Sequence, residues 1–332
     1  MRVTVIGDGG WGTALALTLA RNGHAPRVWG PVADYVAEIR QTRRNRKFLP
    51  GVPLPDALEW TAEPDEALAG AEAVVMVVPS KYVRATLGRF AGAYRAAGAP
   101  PVVSATKGFD ETTHERMTEI LSELWSVKAP AALSGPSIAP ETARGVPTAV
   151  TIACADAALA QRFQDLFCGD AFRAYTSDDV RGVELGGALK NVVALAAGIC
   201  DGLGFGHNAK AALITRGLAE MTRLGAALGA HPQTFYGLSG IGDLMVTCMS
   251  PQSRNRTVGE RLGRGETLAQ ILAGMEQVAE GVCTCGSALA LAREAGVPVP
   301  VMEQIDAILH RGQAPQAAVL ELMRRDPRAE RD

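Results

Sequence analysis

The sequence has no excess of positive charge. It carries 33 Lys and Arg against 35 Asp and Glu over 332 residues, which gives a formal net charge of −2. A protein that binds nucleic acid is normally clearly basic, so we expect no nucleic-acid partner. Charged residues make up 20% and hydrophobic residues 47% of the chain, which is ordinary for a globular protein and excludes a disordered one.

Long hydrophobic runs are also missing, and cysteines are few. The apolar stretch at 74–78 is far too short to span a bilayer, and residues 1–7 are typical of a strand and not of a secretory leader. Six cysteines lie scattered in apolar segments, which favours buried free thiols. The Cys283-Thr284-Cys285 pair has no second cluster to complete a zinc site. We therefore expect a cytoplasmic, metal-free protein without a membrane segment.

The first half of the chain alternates short β-branched runs with longer amphipathic stretches. Strands are predicted at 3–6, 25–29, 74–78, 102–105, 131–133, 148–152 and 172–175, and helices at 11–21, 64–70, 80–97 and 112–124. This alternation predicts βαβ units and a parallel sheet covered on both faces, which is a doubly wound α/β fold. From residue 179 onward the spacing is helical, at 188–199, 209–228, 268–278 and 287–295.

A glycine-rich turn follows the first predicted strand. Gly7-Asp8-Gly9-Gly10-Trp11-Gly12 matches G-x-G-x-x-G between a strand and a helix, the context that this motif requires. Its glycines permit a tight turn, close approach of a pyrophosphate and close helix packing, and the helix N-terminus favours the anion. We therefore predict a Rossmann dinucleotide-binding domain for NAD or NADP at 1–178, and an all-α substrate-binding and catalytic domain at 179–332.

The end of the second predicted strand leaves the choice between NAD and NADP open. An acid about 20 residues beyond the glycines would hold the ribose of NAD, whereas an arginine would accommodate the 2′-phosphate of NADP. The chain has Trp29-Gly30-Pro31-Val32 there, with no acid before Asp34. The basic run at 40–47 is typical of a solvated face, although Arg40, Arg43 or Arg44 could still reach a phosphate. With neither element at the strand end, we predict weak discrimination, within about a hundredfold in kcat/KM.

Seven further short blocks occur in a fixed order along the chain. They are Val78-Pro79-Ser80, Ala105-Thr106-Lys107-Gly108, Ser134-Gly135-Pro136-Ser137, the block at 184–191, the glycine-rich block at 201–206, Gly240-Ile241-Gly242-Asp243-Leu244 and Ser253-Arg254-Asn255-Arg256. With the glycine-rich turn, they resemble the bacterial NAD(P)-dependent glycerol-3-phosphate dehydrogenases from residue 3 to about residue 309. The resemblance implies reversible reduction of dihydroxyacetone phosphate to sn-glycerol 3-phosphate, supply of phospholipid synthesis, and a homodimer. The basic residue common in that family after the second strand is replaced here by Pro31 and Val32.

Three residues are candidates for the chemistry. Lys190 lies in an apolar run of small residues, where burial would lower its pKa toward the working range of a general acid or base, although a helical lysine more often points to solvent. Lys107 follows a strand end, where it could polarise a carbonyl. Asp243 lies in a glycine-flanked loop and could equally be a turn or N-cap residue. The resemblance implies that Lys190 is the proton acceptor, that Lys107 contacts both substrate and cofactor, and that Asp243 lies beside both Lys190 and the substrate.

Ser253, Arg254 and Asn255 could hold the substrate phosphate. They offer a hydroxyl, a bidentate guanidinium, an amide and a helix start, although an N-cap serine beside surface charges would have the same sequence. The resemblance adds Gly135 and Ser137 at the substrate. It also implies cofactor contacts for Gly7, Gly9, Gly10, Trp11, Gly12, Lys107, Ala139, Arg254, Val278 and Glu280.

Two other functions fit parts of the pattern. A related two-domain reductase of a β-hydroxy acid would share the cofactor half and a helical lysine, but should lack the phosphate-binding triplet at 253–255 and present an arginine to a carboxylate. A dinucleotide-binding sensor without turnover would need the glycines but not Lys190, Lys107 and Asp243 together.

Overall fold

The computed structural model describes residues 1–275, 278–326 and 329–330. Its first half forms one eight-stranded sheet in the order β3-β2-β1-β4-β5-β6-β7-β8. The strands are β1 (Arg2–Ile6), β2 (Ala25–Trp29), β3 (Glu59–Thr61), β4 (Ala73–Met76), β5 (Val102–Ser104), β6 (Ala131–Ser134), β7 (Thr148–Ala153) and β8 (Phe172–Ser177). Neighbouring strands are parallel except β6 and β7, which run antiparallel.

Helices cover both faces of this sheet. They are α1 (Gly10–Arg21), α2 (Ala33–Thr42), α3 (Pro64–Leu68), α4 (Val83–Ala96), α5 (Met117–Trp125), α6 (Ala139–Ala143) and α7 (Ala157–Phe167). Along β4, Ala73 and Val75 face one apolar core while Val74 and Met76 face the other. Since successive side chains of a strand point to opposite faces, a continuous apolar run is what a strand buried on both sides requires.

The seven predicted strands are present with their ends at most two residues from the prediction. Two expectations, on the sheet and on α5, were wrong, and helices α2, α6 and α7 were not predicted. The sheet is not wholly parallel, because the chain turns back through the short helix α6 and β7 lies antiparallel to β6. Strand β3 was not predicted, and its three residues are too few to show a period. Helix α5 begins at Met117 instead of residue 112, because the Asp110 carboxylate accepts hydrogen bonds from the backbone N–H groups of Thr112 and Thr113 and holds a turn there.

The described residues after Ser177 are helical or lie in turns. The helices are α8 (Val180–Gly202), α9 (His207–Ala227), α10 (Asp243–Met249), α11 (Arg254–Gly263), α12 (Leu268–Ala273), α13 (Glu280–Glu294), α14 (Pro300–His310) and α15 (Pro315–Met323), with a short π-helical turn at Leu238–Gly242 before α10. The predicted helix at 268–278 ends at Ala273, and residues 276–277 of that prediction, like the last residues of the predicted domain at 179–332, lie outside the described part of the chain.

Helix α8 is the centre of the second half. It is long and apolar enough by composition to cross a membrane, yet its apolar window is entirely buried inside this protein, so it is a core helix here. The Asp179 carboxylate fixes its start by accepting hydrogen bonds from the N–H of Gly182, the N–H of His231 and the hydroxyl of Thr234.

Two contacts fix α8 against its neighbours. The buried Glu184 carboxylate accepts hydrogen bonds from Arg116 and Thr118 at the start of α5, which joins the helical half to the sheet half. On the other side, α8 and α11 touch backbone to backbone, because a Cβ at Gly198, Gly202, Gly259 or Gly263 would overlap the facing helix. Helix α11 therefore starts at a fixed place relative to α8.

Candidate active site

An open cleft of about 930 Å³ lies between the carboxyl ends of the central strands and the helical half. Of the residues singled out from the sequence, the cleft is lined by Gly7, Gly9, Gly10, Trp11, Gly12, Lys107, Ser137, Ala139, Lys190, Asp243, Ser253, Arg254, Asn255, Val278 and Glu280. Of the other candidates, Gly135, Arg40, Arg43 and Arg44 do not line it. The carboxyl edge of an α/β sheet is where this class of fold holds its ligands.

The glycine-rich turn has the shape that a dinucleotide pyrophosphate needs. Gly7 has φ +130°, and a Cβ on Gly7 would lie 2.9 Å from the backbone carbonyl carbon of Val77. Gly9 faces open space instead, and no side chain among the described residues caps α1. Because Gly9, Gly10 and Trp11 line the cleft, α1 begins at the cleft surface. These features fit a bound NAD or NADP, whose pyrophosphate would meet Gly9, Gly10 and Trp11.

Three charged side chains from separate elements meet at the centre of the cleft. The Nζ of Lys190 on α8 lies 2.5 Å from Oδ1 of Asp243 at the start of α10, and the Nζ of Lys107 after β5 lies 2.6 Å from Oδ2 of the same carboxylate. Their side chains are 7% (Lys190), 1% (Asp243) and 12% (Lys107) exposed. One carboxylate thus bridges two ammonium groups, and it is not a free turn or N-cap residue.

Burial lowers the pKa of Lys190 to about 8. Asp243 opposes this effect by favouring the charged ammonium, and Lys107 adds to it by repulsion. An ammonium with its pKa near neutrality can give up and recover a proton at working pH, which is what a general acid and base requires.

Thr247 belongs to this cluster and was missed in the sequence. Its hydroxyl accepts a hydrogen bond from Lys190 Nζ at 2.7 Å and donates one to the backbone carbonyl of Asp243 at 2.6 Å. The signal that could have found it is the spacing of four residues from Asp243, which places both on one face of α10.

Lys107 is held by groups on its own side of the cleft. Its ammonium donates to the Gly135 carbonyl at 3.2 Å and to the Ser137 hydroxyl at 2.9 Å, in addition to Asp243. Gly135 has φ +151°, and a Cβ there would lie 2.8 Å from the Cα of Val150. The structure therefore places Gly135 behind Lys107, where it orients the ammonium, and not at the cleft surface.

The triplet at 253–255 is both a helix cap and a cleft wall. Ser253 caps α11, with its hydroxyl accepting from the N–H of Arg256 at 3.2 Å. Arg254 is exposed at the first position of α11. Asn255 is buried, and its amide donates to Asn191 and accepts from the N–H of Gly281. Asn255 therefore joins three helices, and its second amide hydrogen has no partner in the described part of the chain and could bind a ligand.

At the far end of the cleft, the basic run at 40–47 is mostly a solvated face, as expected from the sequence. The basic run does not line this end as a whole: Arg43 donates to the carbonyls of Pro55 and Leu58, and Arg46 lies beside Glu38. Lys47 does line the cleft, together with Asp8, Phe48 and Arg89, none of which were assigned from the sequence.

Two of the six cysteines differ from the expectation of burial. All six are free; Cys168 and Cys283 are partly exposed, whereas the other four are buried. Within the described ranges, no group of three or more His, Cys, Asp and Glu side chains could hold a metal ion.

Comparison with known families matches both halves of the chain. The model of the NAD-dependent glycerol-3-phosphate dehydrogenase N-terminus matches residues 2–160, and that of the C-terminus matches residues 179–320. Glycerol-3-phosphate dehydrogenase (NAD(P)+) of Citrifermentans bemidjiense is 48% identical over 99% of this chain and 98% of its own length. The enzyme of the same name from Geobacter sulfurreducens is 49% identical over 99% of each chain.

A solved structure agrees with these sequence matches. The crystal structure of glycerol-3-phosphate dehydrogenase from Coxiella burnetii superposes with a TM-score of 0.93 at 37% identity, covering 98% of this chain and 99% of that one.

Proposed function

Since the chain belongs to the NAD-dependent glycerol-3-phosphate dehydrogenase family, we propose that Lys190 exchanges the proton and Lys107 polarises the carbonyl in its reaction. The protein is an oxidoreductase that interconverts dihydroxyacetone phosphate and sn-glycerol 3-phosphate with NAD(P). The β-hydroxy-acid reductase and the sensor without turnover are therefore set aside.

The observation that carries the proposal is the buried contact of Lys190 with Asp243 and Thr247. When bound, the nicotinamide supplies or accepts the hydride at C2 of the substrate. In reduction, the C2–H bond forms while the carbonyl electron pair moves to oxygen, and that oxygen takes a proton from the Lys190 ammonium. The neutral amine then recovers a proton from water. In oxidation, the same amine accepts the hydroxyl proton.

Lys107 and Asp243 prepare this step. The Lys107 ammonium, fixed by Ser137 and by the carbonyl of Gly135, stabilises negative charge that develops on the carbonyl oxygen. Asp243 offsets the repulsion between the two ammonium groups and keeps Lys190 protonated at neutral pH. A charge that is already in position and shielded from water stabilises the transition state more than the same charge in water, because little solvent must reorganise.

The remaining assignments follow from where the residues line the cleft. Arg254, Ser253 and Asn255 at the start of α11 hold the substrate phosphate, with Ser137 on the opposite wall. Gly135 contributes by orienting Lys107. Ala139, Val278 and Glu280 contact the cofactor, and burial raises the pKa of Glu280 against the lowering effect of the Arg254 charge.

We also propose the domain organisation, the compartment and the oligomeric state, from the order of the elements and from the family to which the chain belongs. Residues 1–178 form the dinucleotide-binding domain and 179–332 the helical domain, with the division between β8 and α8. The enzyme acts in the cytoplasm as a homodimer and supplies the glycerol backbone of phospholipids.

An assay of the purified protein with dihydroxyacetone phosphate and NADH or NADPH tests these roles. Lys190→Met should lower kcat by about 10²–10⁴-fold, the usual contribution of a positioned proton donor, while leaving the Kd of the cofactor within about twofold. Lys128→Met, on an exposed lysine away from the cleft, is the control and should leave kcat unchanged. Retention of more than about a tenth of wild-type kcat in Lys190→Met would show that the proton comes from elsewhere.

A further inference from the structure

Asp8, the second residue of the glycine-rich turn, is a buried carboxylate that the mechanism does not use. It is 8% exposed and lines the cleft. Its backbone carbonyl accepts hydrogen bonds from Asn45 Nδ2 at 2.7 Å and from the Thr13 hydroxyl at 3.3 Å, so its place in the turn is fixed. Its side chain is therefore held in position at the adenosine end of the cleft.

The Asp8 carboxylate occupies the place of a missing side chain on the neighbouring strand. Strands β1 and β2 pair with Ile6 beside Trp29, so the turn after β1 lies next to Gly30. A Cβ at Gly30 would lie 2.5 Å from Asp8 Oδ2. Gly30 stands about 20 residues after the glycines, the position where an NAD site normally carries its acid. The carboxylate absent from the end of β2 is thus provided by the turn after β1.

The Asp8 carboxylate has few hydrogen-bond partners among the described residues. Its own backbone N–H donates to it, and among residues 1–275, 278–326 and 329–330 no side chain is hydrogen-bonded to it. A mostly buried carboxylate that no side chain of the described residues binds, and that lies beside a ligand cleft, is a candidate for contact with the ligand. Burial raises the pKa of Asp8 to about 6, against the lowering effect of its own backbone N–H and the Lys47 charge, so the group is mostly ionised at pH 8.

We propose that Asp8 determines the choice between NAD and NADP: its carboxylate accepts a hydrogen bond from the adenosine ribose hydroxyls and repels a 2′-phosphate. This inference rests on the proposed function only in that the cleft must hold a dinucleotide. It replaces the expectation from the sequence that this end of the site has no repulsive element.

Lys47 is the opposing element. It lines the same end of the cleft, and its charge acts on Asp8. An ammonium there attracts a 2′-phosphate that the carboxylate repels, so the preference follows the balance of the pair. Removal of the carboxylate charge shifts that balance toward NADP.

The test is direct binding, without turnover. Kd values for NAD+ and NADP+ are measured by calorimetry at pH 8 for the wild type, for Asp8→Asn, which keeps the shape and removes the charge, and for Asp8→Ser as a second uncharged variant. Asp34→Asn is the matched control, because it removes an equal charge from an exposed position at the start of α2.

Both Asp8 variants should shift the ratio of Kd for NAD+ to Kd for NADP+ by tenfold or more toward NADP+, while Asp34→Asn should leave it within twofold. A shift smaller than tenfold in the Asp8 variant that folds, or an equal shift in Asp34→Asn, overturns the proposal. Failure of the wild type to bind either nucleotide would instead count against the proposed function, and Lys190 variants test that function separately.

A pH series gives a second readout. Lowering the pH from 8 to 5.5 protonates Asp8, so the wild-type ratio should move toward NADP+ more than the ratio of Asp8→Asn does. The 2′-phosphate of free NADP+ also titrates near a pKa of about 6, and this contributes equally to the measurements on both proteins. The groups facing Asp8 are Lys47 and, from α2, Tyr35, whose pKa is raised by burial and to a lesser extent by Asp8. Tyr35 stays neutral over this range, because its pKa lies above the ordinary value for a phenol. Parallel pH profiles for the two proteins would contradict the proposal.

Discussion

Replacing Asp243 with asparagine removes the carboxylate between two buried ammonium groups while keeping the shape of the side chain. Lys190 and Lys107 each lie within 2.6 Å of that carboxylate. Without it, the two cations face each other with no charge between them, and the charged form of Lys190 becomes less favourable. We therefore expect Asp243→Asn to lower the pKa of Lys190 further below its wild-type value of about 8.

The size of the effect follows from the fraction of Lys190 that carries a proton. With a pKa of about 8, about nine-tenths of Lys190 is protonated at pH 7. Loss of an opposite charge at contact distance lowers an ammonium pKa by about 1 to 3. The protonated fraction at pH 7 then falls to between about a half and about a hundredth. Since reduction of dihydroxyacetone phosphate needs the protonated form, kcat/KM should fall by about tenfold at the centre of this range.

The assay is a profile of kcat/KM for reduction between pH 5.5 and 9.5. Because Lys190 acts as the acid in this direction, activity is lost as the pH rises through its pKa. The wild type should lose activity above about pH 8, and Asp243→Asn should lose it at lower pH and recover part of it on acidification. Thr247→Val is the comparison variant, since it removes one hydrogen bond to the ammonium but no charge and should move the profile less.

An unchanged alkaline limb in Asp243→Asn would refute the reasoning, whatever the loss in rate. A uniform loss across the whole pH range would assign Asp243 to positioning only. Removal of one partner from a buried ion pair typically costs about 3–5 kcal/mol of stability, so each profile is accompanied by a measurement of the folded fraction by circular dichroism.

Three further predictions concern other parts of the molecule. Arg254→Lys keeps the charge but loses the planar guanidinium, so the KM for dihydroxyacetone phosphate should rise at least about tenfold with a smaller change in kcat. If unphosphorylated glyceraldehyde were turned over as well as the phosphorylated triose, the role of Arg254 would be wrong. Arg116→Ala leaves the Glu184 carboxylate buried without its cation and should lower the free energy of unfolding in urea by about 3–5 kcal/mol at pH 8. The loss should be smaller at pH 5, because burial raises the pKa of Glu184 and the carboxyl group is then protonated. A loss below about 1 kcal/mol at pH 8 would contradict this prediction. Gly259→Ala places a Cβ against a backbone carbonyl of α8 and should cost about 1–3 kcal/mol in the same assay, whereas Gly286→Ala in open space on α13 should be neutral or stabilising.

Residues whose surroundings are set by local context could be predicted from the sequence. The glycine-rich turn is of this kind, because it stands between a predicted strand and a predicted helix. Lys190 is another, because its apolar and small neighbours already indicate that it is buried. The strands of the sheet were found for the same reason, because β-branched runs bounded by turn residues carry their own signal. Sequence family resemblance then joined Lys107 and Asp243 to Lys190, and the structure shows the three in contact.

Residues whose role depends on a neighbour far along the chain could not be predicted. Asp8 fills the second position of the glycine-rich motif, which accepts almost any residue there. That its carboxylate lies against Gly30 becomes known only from the pairing of β1 with β2. Gly135 was assigned to the substrate, but its carbonyl holds Lys107 from behind. Strand β3 and the antiparallel pairing of β7 likewise depend on tertiary contacts that no local pattern records.

The backbone contact between α8 and α11 has a consequence for substrate length. Lys190 on α8 would meet the carbonyl end of the substrate, and Arg254 at the start of α11 its phosphate end. Glycines at 198, 202, 259 and 263 leave no side chain between the two helices that could be repacked to slide one along the other. A substrate with one more carbon between its carbonyl and its phosphate would need the phosphate to move by about 1.5 Å, the length of one bond. We therefore expect the rigid contact between α8 and α11 to select the carbonyl-to-phosphate distance of a three-carbon phosphate.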